Sequence, residues 1–242
     1  MEGHKLKTLI DQGALDDLAV MPALRSSSYF DPLLDAYSSL DDRLLFQGKI
    51  HDAGHIERVM FLGAAIAMQQ GLSDPDTKIL LTGCAYHDIG RQNDSYEPGH
   101  GERAAVMLGS IELPGLEDPD KAIMQAAIAA HSPSSETVIY SYLSWFGLMA
   151  YKERAVLIAK CLKDADALDR CRIVMSITVH QWNLERRSTE EAAAAWKDYI
   201  EGSGMTNLFK QYGCDPKYLR FRESRDLIKD AEQLYLRYCF GG

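Results

Sequence analysis

The sequence has few of the features that would set it apart from an ordinary globular protein. Five cysteines occur in 242 residues, and no two of them form a CxxC pair. An odd number without metal-site spacing favours reduced thiols over a disulfide framework. No apolar run is long enough to cross a bilayer, and the N-terminal segment lacks the apolar core of a signal peptide. These absences predict a cytoplasmic protein with no membrane span.

Positive charge is also scarce. The 26 Lys and Arg residues are outnumbered by 35 Asp and Glu, which gives a formal net charge of −9. This balance disfavours binding to a nucleic-acid polymer, because such proteins neutralise backbone phosphates with lysine and arginine. It leaves room for a small phosphorylated substrate, since a bound metal ion supplies positive charge of its own.

No stretch alternates convincingly between apolar and polar residues, as a half-buried strand would. Apolar residues instead recur at helical spacing along most of the chain. The predicted helices cover residues 32–46, 55–70, 74–88, 100–108, 122–130, 151–167, 171–184, 189–200 and 216–238. Gly71 is the expected stop of the second helix, and Asp74 followed by Pro75 is the expected N-cap and start of the third. The pattern predicts an all-α fold in a single domain.

A set of histidines and aspartates lies near the ends of these predicted helices. Their ligand atoms suit Fe, Mn, Zn, Ni or Mg, and a metal in such a site can lower the pKa of a bound water. Each member alone has an ordinary explanation as a loop or helix-end residue, so only the ordered set is informative. The candidate metal ligands are His55, His87, Asp88, His100, His131 and Asp166.

Several neighbours of these residues have two open interpretations. His51 is expected to be either solvated or a support for His55, and Arg58 either reaches an anionic substrate or pairs with an acid on the surface. Asp164, Asp166 and Asp169 are costly in an apolar helix unless they are exposed, paired or bound to metal. Without the histidines, an exposed acidic stripe would be the preferred explanation.

The ordered set resembles the HD-domain superfamily of metal-dependent phosphohydrolases. The matching stretches are His55-Ile56-Glu57-Arg58-Val59, Tyr86-His87-Asp88-Ile89-Gly90-Arg91 and Asp164-Ala165-Asp166-Ala167-Leu168-Asp169. The resemblance covers roughly residues 31–185 and implies an HD-type helical bundle with a C-terminal helical extension. It implies one metal ion on His55, His87, Asp88 and Asp166. His100 and His131 fall where some members hold a second ion.

The resemblance also suggests roles for residues around the ions. His87 and Asp88 are expected to take part in catalysis. Arg58, Arg91 and Arg170 are candidates for stabilising phosphoryl oxygens, because guanidinium groups match phosphate bidentately. Asp169 is expected to orient a ligand histidine. Glycine 90 is expected to adopt a left-handed conformation that lets His87 and Asp88 reach one ion.

Departures from the family motifs leave the substrate open. The chain lacks the Glu-Asp that follows the His-Asp pair in alarmone hydrolases, and it lacks the Gly-Tyr-Pro signature of the cyclic di-GMP branch. It resembles the stand-alone members that act on small nucleotides or phosphate esters. We therefore expect a metal-dependent phosphohydrolase with three parts: an N-terminal helical segment at 1–30, an HD-type core at 31–185 and C-terminal helices at 186–242.

Two other functions are compatible with the same residues. The ligand set holds iron as readily as manganese or zinc, so a dinuclear iron oxygenase is one alternative. A regulatory module that binds metal or nucleotide without catalysis is the other. The aromatic residues of the C-terminal segment favour core packing, and they leave open a homodimer surface.

Overall fold

The computed structural model describes residues 4–95, 97–132, 135–172 and 219–240. Within these ranges the chain forms ten α-helices, three short 3₁₀ turns and no strand, which confirms the predicted all-α class. The helices are α1 (Lys5–Asp11), α2 (Met21–Arg25), α3 (Phe30–Ser39), α4 (Ala53–Gln70), α5 (Asp74–Tyr86), α6 (His100–Gly109), α7 (Asp120–His131), α8 (Glu136–Trp145), α9 (Lys152–Leu168) and α10 (Ile228–Phe240). The 3₁₀ turns span Asp42–Leu44, Met149–Tyr151 and Glu223–Leu227.

Helix α4 lies at the centre of the molecule. Every residue from 54 to 67 is buried, as expected of a helix that is enclosed on all sides. Helices α5 and α9 pack directly on it, and α7 packs on both of them. The N-terminal helices α1 to α3 and the last helix, α10, cover the rest of its surface. The fold therefore surrounds the helix that carries the first histidine of the predicted site.

The ends of α4 follow local rules that the sequence made visible. The Asp52 side chain accepts a hydrogen bond from the backbone N–H of His55 at 2.9 Å, which caps the first turn. Gly71 ends the helix in the left-handed conformation, with φ at +62°. At the next helix the predicted cap is wrong by one residue. Ser73, rather than Asp74, accepts from the N–H of Asp76.

Two predicted helices have wrong bounds. The helix predicted over 32–46 ends at Ser39, because Leu40 is extended and Asp41 caps a separate 3₁₀ turn. The helix predicted over 216–238 begins only at Ile228, after an irregular segment and a 3₁₀ turn. The predicted helices at 171–184 and 189–200 lie almost wholly outside the described residues, and the domain boundaries remain predictions. No helix among the described residues is long and apolar enough to span a membrane.

Gly90 does not have the left-handed conformation that we expected. The described glycines with positive φ are Gly13, Gly71, Gly115 and Gly147. A Cβ at Gly90 would instead lie 2.3 Å from the carbonyl oxygen of His100 and 2.4 Å from the backbone nitrogen of Ala104. The glycine is therefore required by the close approach of α6 to the turn that follows α5.

Candidate metal centre

Five helix ends bring the predicted ligands together. The first turn of α4 carries His55, and α5 ends at Tyr86 so that His87 and Asp88 lie in the turn that follows. Helix α6 begins at His100, α7 ends at His131, and Asp166 lies in the last turn of α9. All of these side chains are buried except that of Asp166, which is 15% exposed.

Two groups of three ligands meet, and both include Asp88. Ligand atoms of His55, His87 and Asp88 all lie within 4.8 Å of one another, and so do those of Asp88, His100 and His131. Asp88 Oδ2 is 3.5 Å from the Nε2 atoms of both His55 and His87. Its Oδ1 atom is 3.1 Å from His100 Nε2 and 3.9 Å from His131 Nε2. One carboxylate thus presents an oxygen to each group.

Asp166 lies beside the first group. Its Oδ1 atom is 3.7 Å from His55 Nε2 and 4.0 Å from His87 Nε2. The four residues expected to hold the first ion therefore surround one point, and the two expected to complete the second site surround a neighbouring point.

In every ligand histidine, the ring nitrogen that faces away from the centre, Nδ1, already contacts a hydrogen-bond acceptor. Nδ1 of His87 is 2.9 Å from the Cys84 carbonyl oxygen, and Nδ1 of His131 is 2.6 Å from that of Ile128. His100 Nδ1 contacts the Glu97 carbonyl oxygen, and His55 Nδ1 is 2.8 Å from Asp169 Oδ2. Carbonyl and carboxylate oxygens only accept, so Nδ1 carries the hydrogen in each ring. In a neutral ring Nε2 then presents its lone pair to the centre.

Three of the converging atoms have no hydrogen-bond partner among the described residues. They are His55 Nε2, His87 Nε2 and Asp88 Oδ2, and all three are buried. Each buried polar atom left in this state costs about 1–3 kcal/mol, and a cation between them would satisfy all three. The Nε2 atoms of His100 and His131 face each other at 2.8 Å, an arrangement that needs a shared cation or proton. These residues therefore fit a divalent metal.

The charge states are those that metal binding requires. Burial lowers the pKa of His87 and holds that of His131 well below its usual value, so both rings are neutral. Burial alone would raise the pKa of Asp88, but the nearby rings of His87, His100 and His55 hold it well below its usual value. The result is neutral imidazole beside carboxylate, the donor set of a hydrolytic metal site.

The comparison with protein families agrees with this geometry. The model of the HD domain matches residues 52–171, a range that contains all six candidate ligands. This chain belongs to the HD-domain superfamily. HD domains bind divalent metals and are typical of metal-dependent phosphohydrolases. No curated protein and no solved structure matches the chain.

A second buried cluster supports the first histidine of the HD domain. Asp169 Oδ2 contacts His55 Nδ1, while Arg58 donates to Asp169 from Nε at 2.7 Å and from Nη2 at 3.2 Å. The Arg172 Nη1 atom lies 3.4 Å from the same carboxylate. Burial would raise the pKa of Asp169, but Arg58 and His55 lower it to about 2. The predicted role of Asp169, to orient a ligand histidine, matches this contact.

Arg58 does not have the position expected of a substrate contact. Its side chain is 4% exposed, and its guanidinium packs on the rings of Tyr235 and Tyr238 at 5.0 and 4.8 Å from their centroids. Its Nε and Nη2 atoms both donate hydrogen bonds to the Asp169 carboxylate. We therefore correct the expectation: Arg58 binds Asp169 in the interior, and Tyr235 and Tyr238 of α10 belong to this buried contact.

The other two arginines lie at the edge of the metal centre. Arg91 Nε donates to Asp88 Oδ1 at 2.8 Å, and its side chain is 11% exposed. Arg170 Nη2 lies 3.9 Å from Asp166 Oδ2 and is one-third exposed. Contact of either residue with a substrate remains a prediction.

The structure decides between the interpretations left open for Asp164 and His51, and it adds Arg172, which sequence reasoning missed. Asp164 is buried and accepts the backbone N–H groups of Arg220 at 2.6 Å and Phe221 at 3.0 Å, so the acidic residues of α9 are not an exposed stripe. His51 pairs with Asp94 through Nδ1 at 3.1 Å, and its ring contacts that of His55. Arg172 follows Asp169 by three residues, a spacing that would have predicted their contact.

A cleft of about 560 Å³ elsewhere in the molecule does not contain the candidate ligands. It is lined by residues of α3, α5 and the 113–116 segment, among them Asp35, Lys78 and Tyr86. No residue that lines this cleft has a buried side-chain atom without a hydrogen-bond partner among the described residues, whereas three such atoms converge at the metal centre. A search for the site by cleft volume alone would therefore have selected a region without the candidate ligands.

Proposed function

We propose that this HD-domain protein hydrolyses a phosphate ester of a small molecule, such as a nucleotide or another phosphorylated metabolite. The observation that carries the proposal is the position of Asp88. Its two oxygens face separate histidine pairs, and three buried acceptor atoms, one of them Asp88 Oδ2, have no partner among the described residues. Such a site is built for two adjacent divalent cations.

A divalent ion in a site of this kind lowers the pKa of a coordinated water and polarises a phosphoryl oxygen. The chain itself holds the imidazole rings in place through their Nδ1 contacts. Asp166 is the most exposed of the six candidate ligands and marks the side open to a substrate. Arg91 and Arg170 flank that side with guanidinium donors, which suit a phosphoryl group.

Metal analysis and phosphate release together test the proposal. The protein is purified without chelator or affinity-metal resin, and ions per chain are counted by elemental mass spectrometry. We expect about two ions per chain, most readily Mn, Fe or Zn. The loaded protein is then incubated with nucleoside mono-, di- and triphosphates and with an aryl phosphate, and phosphate is assayed.

The outcomes separate the alternatives. Protein that binds no ion after reconstitution with each metal contradicts the proposal. An iron-loaded protein that consumes oxygen with a substrate and releases no phosphate indicates an oxygenase. Tight nucleotide binding with no product after prolonged incubation indicates a regulatory module.

A further inference from the structure

A narrow cleft opens beside the metal centre along α9. It has a volume of about 90 Å³, and its lining includes Lys160, Lys163, Arg220 and Ser135. Lys163 precedes the candidate ligand Asp166 by three residues, so its position on α9 is about one turn, or roughly 5 Å, from that carboxylate along the helix axis. Ala130, which precedes the candidate ligand His131, also lines the cleft, so the cleft and the metal centre are close.

The positive charges in this cleft are not equivalent. The Lys160 ammonium lies 3.5 Å from Glu136 Oε1, and Glu136 lines the same cleft, so these two charges offset each other. Lys163 is half-buried, and within the described part of the chain no carboxylate oxygen lies within 4 Å of its ammonium. Lys163 therefore retains a net positive charge on the wall of the cleft.

Lys163 also lies near two other cations, because Arg220 lines the same cleft and Arg170 Nη2 lies 3.9 Å from Asp166 Oδ2, one helical turn from Lys163. Burial lowers its pKa to about 8; the carboxylate of Asp166 opposes this shift, and the charges of Arg170 and Arg220 add to it. Three cations close enough to repel one another are costly to hold in a protein with a net charge of −9. An anion bound among them would remove that cost.

We propose that Lys163, together with Arg220 and Arg170, binds a second phosphoryl group of the substrate. The inference rests on the proposed function, which places the reacting phosphoryl group at the metal centre. It narrows the substrate class to molecules that carry two or more phosphoryl groups close together, such as nucleoside di- and triphosphates or other phosphoanhydrides. Lys163 is then a specificity residue for the second group.

Binding of two simple probes tests this inference without turnover. The affinities of inorganic phosphate and inorganic pyrophosphate are measured by calorimetry on the metal-loaded protein, with metal content measured again after each titration. The variants are Lys163→Met, Lys163→Arg and the matched control Lys160→Met, whose charge is already engaged by Glu136. Circular dichroism checks that each variant is folded, and Lys163→Arg is the conservative replacement that keeps the charge.

We expect wild-type protein to bind pyrophosphate about tenfold more tightly than phosphate, as one additional charge-assisted contact predicts. Lys163→Met should lose this preference, while Lys160→Met and Lys163→Arg should keep most of it. Equal affinity for the two probes in wild-type protein, or a preference that survives Lys163→Met, would overturn the inference. Absence of bound metal would instead contradict the proposed function, and the probe affinities of metal-free protein would still test Lys163.

Discussion

Two buried polar clusters share the ring of His55 and differ in one respect. On the Nδ1 side, Asp169 has a partner for each oxygen, supplied by His55, Arg58 and Arg172. On the Nε2 side, the histidine nitrogens and one oxygen of Asp88 converge without partners among the described residues. Both clusters join buried aspartate and histidine side chains, but only the cluster around Asp169 contains two buried arginines. The complete cluster needs no further partner, whereas the converging atoms of the incomplete one could hold a cation.

This difference assigns distinct roles to residues that look alike in sequence. Loss of a residue from the complete cluster should reduce folding stability, because it leaves a buried charge uncompensated. Loss of a residue from the incomplete cluster should reduce metal binding and activity instead. The two regions can therefore be separated by measuring stability, metal content and turnover on the same variants.

The largest effect is expected for Asp88→Ala. Asp88 belongs to both ligand groups, so both ions should be lost and kcat should fall by about 10³-fold or more. Helical content should stay close to that of wild type. Elemental mass spectrometry, a phosphate-release assay and circular dichroism provide the measurements, with the exposed aspartate variant Asp31→Ala as control. Full activity in Asp88→Ala would contradict the metal assignment.

Arg58→Met tests the complete cluster. The substitution leaves the buried Asp169 carboxylate with Arg172 and His55 as its only partners among those described, and we expect it to lower the free energy of unfolding by about 3 kcal/mol. Urea denaturation measures the change. Arg43→Met, which breaks an exposed pair with Asp41, should have no measurable effect. A stable Arg58→Met protein with weakened substrate binding would restore Arg58 as a substrate contact.

Asp169→Asn should have a smaller effect, and it acts on the residue that joins the two clusters. An amide cannot replace the carboxylate that holds His55 Nδ1, so affinity for the first ion should fall by about 10–100-fold. Competition with a metal-binding dye measures the affinity. Asp164→Asn is the matched control, because Asp164 is a buried carboxylate near the same end of α9 and accepts hydrogen bonds from the backbone N–H groups of Arg220 and Phe221. Equal losses in both variants would mean that the effect is structural.

The smallest effect is expected from pH in chelator-treated protein. The pKa of Asp169 is lowered to about 2 in the folded protein, against an ordinary value of 3.8. A carboxyl group with a lowered folded-state pKa contributes stability above pH 4, and this contribution disappears as the pH falls toward 2. Across that interval, the difference in free energy of unfolding between wild-type protein and Asp169→Asn should shrink by about 2 kcal/mol or less. A stability difference that does not change with pH would mean that Asp169 is not ionised.

Local sequence signals predicted the helices and the order of the ligands well. Apolar spacing identified α4, and Gly71 marked its end because only a residue without a Cβ adopts that backbone conformation readily. The six candidate ligands are close together, as the HD-type order implied. The start of α5 was missed by one residue because serine and aspartate cap equally well, and both precede Pro75.

Contacts between distant segments were beyond local reasoning. Arg58 was open to a substrate contact or a surface ion pair, yet it forms a buried pair with Asp169, 111 residues later. Gly90 looked like a left-handed turn residue, but the backbone of α6 approaches it too closely for any side chain. Neither contact produces a periodicity or a local motif, since it depends on how helices pack.

By itself, the sequence determined that the protein is helical and that its histidines and aspartates form an HD-type set. These properties follow from side-chain spacing and donor chemistry, which are local. Only the tertiary structure decided which buried polar atoms are satisfied. That distinction depends on tertiary packing, because a donor and an acceptor more than a hundred residues apart meet only when α4 and α9 pack together.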